Sequence, residues 1–510
     1  MIEEIGDRTN RFARLFLEHD IDVLGAFRQF SVGLTGNSKL LQTLNGQVMA
    51  LTVINLMSRF HPEVNIDVSQ EFRTMVWVPF GNDDRFVGCL ANMATLVGSK
   101  TKLEPAKDLD VLISVGRTET SAKYKININS DGWLAFTNDS DERIDFVSEN
   151  QNPIGAQTAA CFGVADAFRR LLFLLGCRER RVVREPAPLV FSTLEYSAND
   201  PTARNPSMPQ KIDIDEVVVV GAGAVANGLV YAIATIPHAF GTIKVIDYQS
   251  FEETNINRCL MVCLKHVGAN KAKALASCQF RNLKVIAFPT TYEEFIKTHV
   301  GAKLDLVIST VDNNDTRIRV QSDLPRIVLH GATGEHVATI SRHSFVEGAC
   351  LGCLFFEQIS PAATISTETG ISVHEVEQLL CGTVQVTKEH MSAIATRTGI
   401  DTERLRGYID RPFIELYTQE ICGTIRPKVG GKEIAASVSF VSALPGVLLA
   451  GEIIKERSHE LSRFRLNNYL TLSLFNPAAR WPLQRPKDER CMCMCAHPIM
   501  QGAYRVKWPK

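Results

Sequence analysis

The sequence predicts an α/β protein with two Rossmann-like domains and a helical insertion in the second domain. A Val-rich strand up to residue 220 leads into the turn Gly221-Ala222-Gly223, an apolar helix and a second strand that ends on Asp247. Residues 1–185 repeat several of these features in the same order. Apolar residues recur at helical spacing within residues 356–432, which predicts the insertion.

The chain has 510 residues, which is too long for one compact core and indicates two or three domains. A stretch that is rich in Pro and Ser, with no long periodicity, predicts a linker between the two copies. The predicted limits are a first domain at 1–185, a linker at 186–211, and a second domain at 212–355 and 433–510 that is interrupted by the insertion at 356–432.

Three elements of the second half recur in the first half. Residues 109–114 read LDVLIS and match LDLVIS at 304–309, while FSVGLTGN from Phe30 stands where the glycine turn would be. A helical run at 159–175 parallels the run at 442–455. Chance similarity between short apolar strands is the alternative, but the shared order at comparable spacing favours a repeat.

The turn after the Val-rich strand has the composition of a nucleotide site. Gly221 and Gly223 let the backbone approach a phosphate, and the following helix offers unpaired N–H groups to an anion. Asp247 can accept a hydrogen bond from a ribose hydroxyl. A structural βαβ unit without a ligand is the alternative interpretation.

Polar residues further along the chain fit a polyphosphate better than a nicotinamide cofactor. Asn255, Arg258 and Lys271 come at intervals that a nicotinamide site does not need, and a later apolar strand at 304–311 ends on Asp312. A polyphosphate needs cations and usually a carboxylate that holds magnesium. Arg258 and Lys271 supply the cations and Asp312 the carboxylate.

In this order the segment resembles the adenylation domain of ubiquitin-activating enzymes and their bacterial relatives, the adenylyltransferases of molybdopterin-synthase and thiamine sulfur carriers. The resemblance covers about residues 212–355 and 435–476. One departure is Gln249, where the family often has a second acidic residue. The matching residues are Gly221-x-Gly223, Asp247, Asn255-x-x-Arg258, Val267-Gly268-x-x-Lys271 and Thr310-x-Asp312.

The resemblance implies ATP and Mg²⁺ as cofactors of an active C-terminal copy. The ATP phosphates would be held by the glycine turn and Arg258, with Lys271 at the α-phosphate. Asp312 would bind Mg²⁺, and Asp247 would bind the ribose. The first copy has no glycine motif and no counterpart of Arg258 or Lys271, so we expect it to be inactive.

The resemblance also implies an internal pseudodimer in which the partner copy supplies an arginine to the ATP site. Arg8-Thr9-Asn10-Arg11 resembles the segment that carries this arginine, and Arg11 stands at its position. A cation there would stabilise charge on the leaving pyrophosphate. A solvated helix face is the alternative for Arg11. A homodimer of the whole chain is a further option.

Two cysteine groups predict a structural Zn²⁺ site. Cys350 and Cys353 form a Cys-x-x-Cys pair, and Cys491, Cys493 and Cys495 follow near the C-terminus. Thiolates from two such groups can close a tetrahedral zinc site, and the family has one at matching places. The second pair is Cys493 with Cys495, or Cys491 with one of them. A redox role for the first pair is the alternative.

The insertion contains two candidate nucleophiles, Cys381 and Cys422. In relatives that form a thioester with their carrier, the catalytic cysteine precedes the final apolar helix, and Cys422 matches that placement better. Arg426, Lys428 and paired glycines after it suit an electropositive thiolate environment. A buried apolar thiol is the alternative for either cysteine.

The implied function is activation of a ubiquitin-like carrier protein by C-terminal adenylation, then thioester formation on Cys422 and transfer to a conjugating enzyme. Two alternatives are an adenylyltransferase for a sulfur carrier or peptide that stops at the acyl-adenylate, and an NAD-dependent oxidoreductase. The fused pair of copies is most like the activating enzymes of bacterial ubiquitin-like pathways.

Composition excludes several other classes of protein. A formal net charge of −1 argues against a general nucleic-acid or membrane-surface binder. The N-terminus is polar and acidic rather than a signal peptide, and no apolar run approaches the length of a membrane span. Thirteen cysteines without an export signal predict cytoplasmic thiols or metal ligands rather than disulfides.

Overall fold

A computed structural model of the chain forms two compact units, Met1–Phe355 with Ala436–Lys510, and Phe356–Ala435. Among the described helices, none combines the length and apolarity that crossing a bilayer requires. The structure describes residues 9–10, 12–13, 16–17, 22–68, 71–81, 83–137, 144–179, 182, 187–334, 336–355, 361–382, 384–398, 400–417, 437–477, 480–487 and 493–509.

The first half of the larger unit contains an eight-stranded sheet in the order β3-β2-β1-β4-β5-β6-β7-β8. Strands β1 to β5 pair in parallel, and β6 to β8 add an antiparallel edge. Within the predicted linker, β7 and β8 extend this sheet. The strands are β1 (Val32–Gly36), β2 (Glu63–Asp67), β3 (Lys100–Lys102), β4 (Leu109–Val115), β5 (Ala122–Asp131), β6 (Leu134–Thr137), β7 (Leu189–Ser192) and β8 (Ser197–Ala198).

The second half contains another eight-stranded sheet, in the order β11-β10-β9-β12-β13-β14-β15-β16. Strands β9 to β13 pair in parallel and β14 to β16 are antiparallel. The strands are β9 (Ile212–Val220), β10 (Ala239–Ile246), β11 (Leu283–Phe288), β12 (Leu306–Ser309), β13 (Ile327–Thr333), β14 (Val337–His343), β15 (Tyr469–Ser473) and β16 (Arg480–Leu483).

The two sheets have the same strand order, which confirms the prediction of two Rossmann-like domains. The LDVLIS segment lies in β4 and the last four residues of LDLVIS form β12. Each is the fourth strand of its sheet and pairs with the first and fifth strands. The helices Ile154–Leu174 and Ser439–Arg457 also correspond, because each lies between the sixth and seventh strands of its sheet.

The helices of the larger unit cover both sheets and join the two halves. They are Val23–Phe27, Ser38–Leu41, Leu44–Met57, Phe86–Leu96, Ile154–Leu174, Ala224–Ala234, Lys271–Ala276, Tyr292–Thr298, Asn314–Ser322, Leu351–Phe355, Ser439–Arg457 and Pro498–Lys507, with 3₁₀ turns at Glu253–Asn255, Leu264–His266 and Ser462–Phe464.

Helices from both halves pack against one another in a shared interior, which explains why they are apolar on nearly every face. Thr52 and Tyr231 share a hydrogen bond of 3.0 Å between their hydroxyls across this interior. Gln157 donates to the Thr235 hydroxyl at 2.8 Å. The Phe440 ring lies 5.5 Å from the Phe168 ring, centroid to centroid. The first copy therefore supports the second over a large buried surface.

The smaller unit is helical and has its own apolar core. Its second helix begins with a capping box, in which Ser372 accepts from the Glu375 N–H and the Glu375 side chain bonds back. The helices are Pro361–Thr369, Val373–Leu380, Lys388–Thr398, Thr402–Leu405 and Phe413–Leu416, with a 3₁₀ turn at Arg406–Tyr408.

Candidate functional site

The carboxyl ends of three neighbouring strands form one edge of the second sheet. The central strand β9 ends at Val220, which lies opposite Ile246 of β10 on one side and Ser309 of β12 on the other. The glycine turn, Asp247 and the Thr310-Val311-Asp312 segment follow these strands directly, so they meet at the same edge. Ligands of open α/β sheets bind at such an edge.

The glycine turn is shaped by its two glycines. Gly221 has a φ of +91° and donates its N–H to the Ile246 carbonyl at 2.9 Å. A Cβ at Gly221 would lie 3.0 Å from a Val311 methyl, so a larger residue would crowd the loop from β12. A Cβ at Gly223 would meet nothing within 4 Å, and the helix Ala224–Ala234 begins at the next residue. The turn leaves open space in front of a helix N-terminus.

The equivalent turn of the first copy, after β1, is packed with apolar side chains. A Cβ at Gly36, at the end of β1, would lie 2.8 Å from a methyl of Leu41. Leu40 and Leu41 are both buried. Apolar side chains therefore pack closely around this turn in the first copy.

Asp247 fixes the backbone around the glycine turn. One carboxylate oxygen accepts the Ala222 N–H at 2.7 Å, and the other accepts the Gln249 N–H at 2.8 Å. Each oxygen keeps a lone pair that a hydroxyl group of a ligand could use.

Lys271 is held by Gln249, the residue at which the sequence departs from the family pattern. The Lys271 ammonium donates to the Gln249 side-chain oxygen at 2.7 Å, and the Lys271 N–H donates to the Gln249 carbonyl at 2.8 Å. Because this partner is a neutral amide, it orients the ammonium without cancelling its charge. The full positive charge of Lys271 would then be available to a polyphosphate.

Asn255 and Arg258 differ in their surroundings. Asn255 is buried, and its side-chain oxygen accepts the Glu252 N–H at 3.1 Å, which caps the short 3₁₀ turn. Arg258 donates weakly to the Thr254 carbonyl at 3.3 Å. Burial lowers the pKa of Arg258, while the carboxylates of Glu252 and Asp312 act to raise it. Asp312 therefore lies close enough to Arg258 for their charges to interact.

Arg317 is a second cation near Asp312, and the sequence reasoning assigned it no role. It donates to the Val311 carbonyl at 3.0 Å and to the Asn314 side chain at 2.7 Å. Its guanidinium carbon lies 4.3 Å from the centre of the Phe355 ring. Burial lowers the pKa of Arg317 and the Asp312 carboxylate opposes this shift.

Asn227 is another residue that the sequence reasoning missed, because it stands within an apolar helical run. Its amide nitrogen donates to the carbonyls of Ala222 and Gly223, at 3.0 and 2.8 Å. Its amide oxygen accepts the Met261 N–H at 3.2 Å. This fully buried side chain joins the glycine turn to the segment that carries Arg258.

We expect Asn227→Leu to weaken the binding of Mg-ATP by about tenfold, because three backbone groups would each lose a hydrogen bond. Isothermal titration calorimetry measures this affinity directly. Gln157→Leu is the matched control, since it removes a buried amide at the interface between the copies. Equal affinities of the two variants would contradict the role given to Asn227.

Four cysteines of the predicted zinc site lie together. The sulfur atoms of Cys350, Cys353, Cys493 and Cys495 all lie within 4.8 Å of one another. Separations include 3.3 Å between Cys350 and Cys493 and 3.4 Å between Cys353 and Cys495. Four sulfurs at about 2.3 Å from a central zinc would lie about 3.8 Å apart, so the donor set and spacing fit Zn²⁺. Cys491 lies outside the described residues.

The C-terminal helix Pro498–Lys507 follows the cysteine cluster closely along the chain and is hydrogen-bonded to the segment just before β13. The Tyr504 hydroxyl donates to the Arg326 carbonyl at 2.7 Å, and the Trp508 indole donates to the Leu324 carbonyl at 2.8 Å. These carbonyls follow the helix Asn314–Ser322, which comes directly after the Asp312 loop. A metal bound by the four cysteines would therefore also stabilise the segment that supports the Asp312 loop.

Two other predicted site residues, Arg11 and Cys422, lie outside the described residues, so their roles stay predictions. Cys381 is exposed and ends the helix Val373–Leu380 of the smaller unit.

Comparisons with known proteins match both halves of the chain. The ThiF family matches residues 203–493, and the family described as the BilD N-terminal domain matches residues 32–182. An uncharacterized protein of Sinorhizobium fredii, y4jF, is 27% identical over 96% of this chain and 93% of its own length. Adenylyltransferase and sulfurtransferase MOCS3-1 of Zea mays is 27% identical over 29% of this chain and 32% of its own length.

Among solved structures, one titled as E. coli MccB with succinimide is 13% identical and covers 55% of this chain and 66% of that chain. Its TM-score of 0.34 is too low to support a conclusion. The ThiF match covers more than half of the 510 residues. The chain therefore belongs to the ThiF family.

Proposed function

We propose that this chain activates the C-terminal carboxylate of a ubiquitin-like carrier protein with ATP and then holds the carrier as a thioester on Cys422. Membership of the ThiF family, together with similarity to an adenylyltransferase, supports adenylation of a substrate. The observation that carries the proposal is the edge of the second sheet, where the open glycine turn is bonded to Asp247. Near this edge, Lys271 is bonded to Gln249, and Arg258 interacts electrostatically with Asp312.

The adenylation step uses residues that bind and orient charge. An oxygen of the carrier carboxylate attacks the α-phosphorus of ATP, the bond between the α-phosphorus and the bridging oxygen breaks, and pyrophosphate leaves. The glycine turn and Arg258 hold the phosphates, and Lys271 stabilises charge that develops at the α-phosphate. The carboxylate is already ionised, so this step needs no general base.

Other roles follow from the same arrangement. Asp247 accepts from the ribose, and Arg11 of the first copy stabilises charge on the leaving pyrophosphate. Asp312 would hold Mg²⁺, which neutralises phosphate charge when it is bound.

The second step transfers the carrier to sulfur. The Cys422 thiolate attacks the carbonyl carbon of the acyl-adenylate, a thioester bond forms, and AMP leaves with the electrons of the broken acyl–phosphate bond. A conjugating enzyme then accepts the carrier from the thioester. An enzyme that stops at the adenylate is the second candidate, and the limited match with MOCS3-1 favours considering it. ThiF membership favours both over an NAD-dependent oxidoreductase.

A thioester assay tests this step. The full chain is incubated with Mg-ATP and a ubiquitin-like protein that ends in glycine and is encoded in the same genome. We expect a carrier adduct that thiol reagents remove and that is absent in Cys422→Ser. Cys381→Ser is the matched control and should keep the adduct. Exchange of pyrophosphate into ATP without any adduct would support the second candidate instead.

A further inference from the structure

An arginine of the first copy is hydrogen-bonded to the segment of the second copy that contains Arg258. Arg59 follows the helix Leu44–Met57, and only 2% of its surface is exposed. Its guanidinium donates to the backbone carbonyls of Ile256, Leu260 and Val262, with distances of 3.0 Å to Leu260 and 3.1 Å to Val262. The segment 256–262 therefore curls around a single guanidinium from the other half of the molecule.

Asn55 completes this contact and holds the guanidinium in place. Its amide oxygen accepts from two guanidinium nitrogens of Arg59, at 3.0 and 2.8 Å. Its amide nitrogen donates to the Leu260 carbonyl at 3.1 Å. The planar fork of an arginine suits such a set of carbonyls, and a lysine does not reproduce it.

All partners in these hydrogen bonds are neutral. The buried Arg59 cation therefore binds the backbone of the second copy and forms no ion pair through these bonds. Burial lowers the pKa of Arg59 to about 10, and the group stays protonated at neutral pH. Placing a charge in a protein interior is costly unless it is well hydrogen-bonded. An apolar residue would fill the same space at lower cost, which suggests that the shape of the held segment matters.

The held segment contains Arg258 and is joined to the glycine turn through the Asn227 side chain. Asn227 accepts the Met261 N–H while it donates to the turn carbonyls. Arg59 and Asn227 thus hold the same segment, Arg59 from the first copy and Asn227 from the second. The position of the Arg258 backbone relative to the glycine turn depends on both.

We propose that Arg59 is a positioning residue for nucleotide binding, contributed by the first copy, which acts by fixing the segment that carries Arg258. This inference rests on the proposed function of the site as an ATP site. It gives the first copy a defined task at the site of the second, separate from that predicted for Arg11.

Binding of Mg-ATP by the full chain tests this, because it needs no carrier. We expect Arg59→Met to raise the dissociation constant by about tenfold, and Arg59→Lys to lose part of that affinity. Arg169→Met is the matched control, since Arg169 is a buried arginine of the first copy that pairs with Asp166 in its own helix. We expect its affinity to stay within about twofold of wild type.

A double variant separates positioning from general support. If Arg59 acts through Arg258, Arg59→Met combined with Arg258→Ala binds no more weakly than Arg258→Ala alone. Additive losses, or wild-type affinity in Arg59→Met, would overturn the inference. If Arg59→Met is insoluble, Arg59→Lys takes its place under the same criteria.

Hydrogen exchange distinguishes failure of this inference from failure of the proposed function. Amides of residues 256–262 should exchange faster in Arg59→Met, while those of β4 stay unchanged. Faster exchange in a chain whose wild type binds no Mg-ATP would overturn the ATP site but leave the contact of Arg59 standing. Unchanged exchange would show that Arg59 does not hold the segment.

Discussion

Lys271→Ala and Asp312→Ala should each slow carrier-dependent exchange of pyrophosphate into ATP by on the order of 10²–10³-fold. The Lys271 ammonium donates to the neutral Gln249 side chain, so its positive charge is not compensated. Without Lys271, the negative charge that builds up in the transition state is stabilised by one positive charge fewer. Asp312 is exposed at the same edge and acts electrostatically on Arg258 and Arg317. Its loss removes the carboxylate assigned to magnesium.

Neighbouring residues provide matched controls for this exchange assay. Lys273 and Asp315 are exposed residues of the same two segments, and alanine at either should leave the rate within about threefold of wild type. Exchange at the wild-type rate in Lys271→Ala and Asp312→Ala would show that the site has been assigned to the wrong residues.

Loss of the cysteine cluster is the second large expected effect. We expect purified wild-type protein to contain about one zinc per chain, and Cys353→Ser to contain almost none. The thermal midpoint of Cys353→Ser should fall by on the order of 5–10 °C, because metal binding contributes directly to folding stability. Metal analysis by plasma mass spectrometry and differential scanning calorimetry measure the two quantities.

Cys161→Ser is the control for this variant, because Cys161 is a buried thiol of the first copy. It should retain zinc, so a loss of metal in both variants would indicate unfolding rather than loss of a ligand. Wild-type protein without bound zinc, with the same midpoint as Cys353→Ser, would contradict the assignment.

The sheet topology was predictable because its signals are local. The Val-rich run of β9 and the glycines after it determine strand, turn and helix within about twenty residues. The LDVLIS and LDLVIS segments marked the repeat because both are buried fourth strands. Periodicity also indicated the helices of the insertion, whose amphipathic faces cover a small core of their own.

Other parts of the site depend on contacts that no local pattern reveals. Arg59 meets Val262 across 203 positions of the chain. Asn227 lies within an apolar helical run, and its role depends on a hydrogen bond to Met261, which is 34 positions further along the chain. Gln249 was visible as a departure from the family, but its bond to Lys271 requires the strand β10 and the helix Lys271–Ala276 to be positioned first.

The filled turn of the first copy has a consequence for how this protein can vary. Around Leu40 and Leu41 the copy serves its own packing, so we expect other apolar residues of similar volume to be tolerated there. Asn55 and Arg59, by contrast, bond to backbone carbonyls of the second copy and must match their positions closely. A mutational scan should find Leu40 and Leu41 tolerant of substitution and Asn55 and Arg59 intolerant. The reverse is expected in a domain that has kept a site of its own.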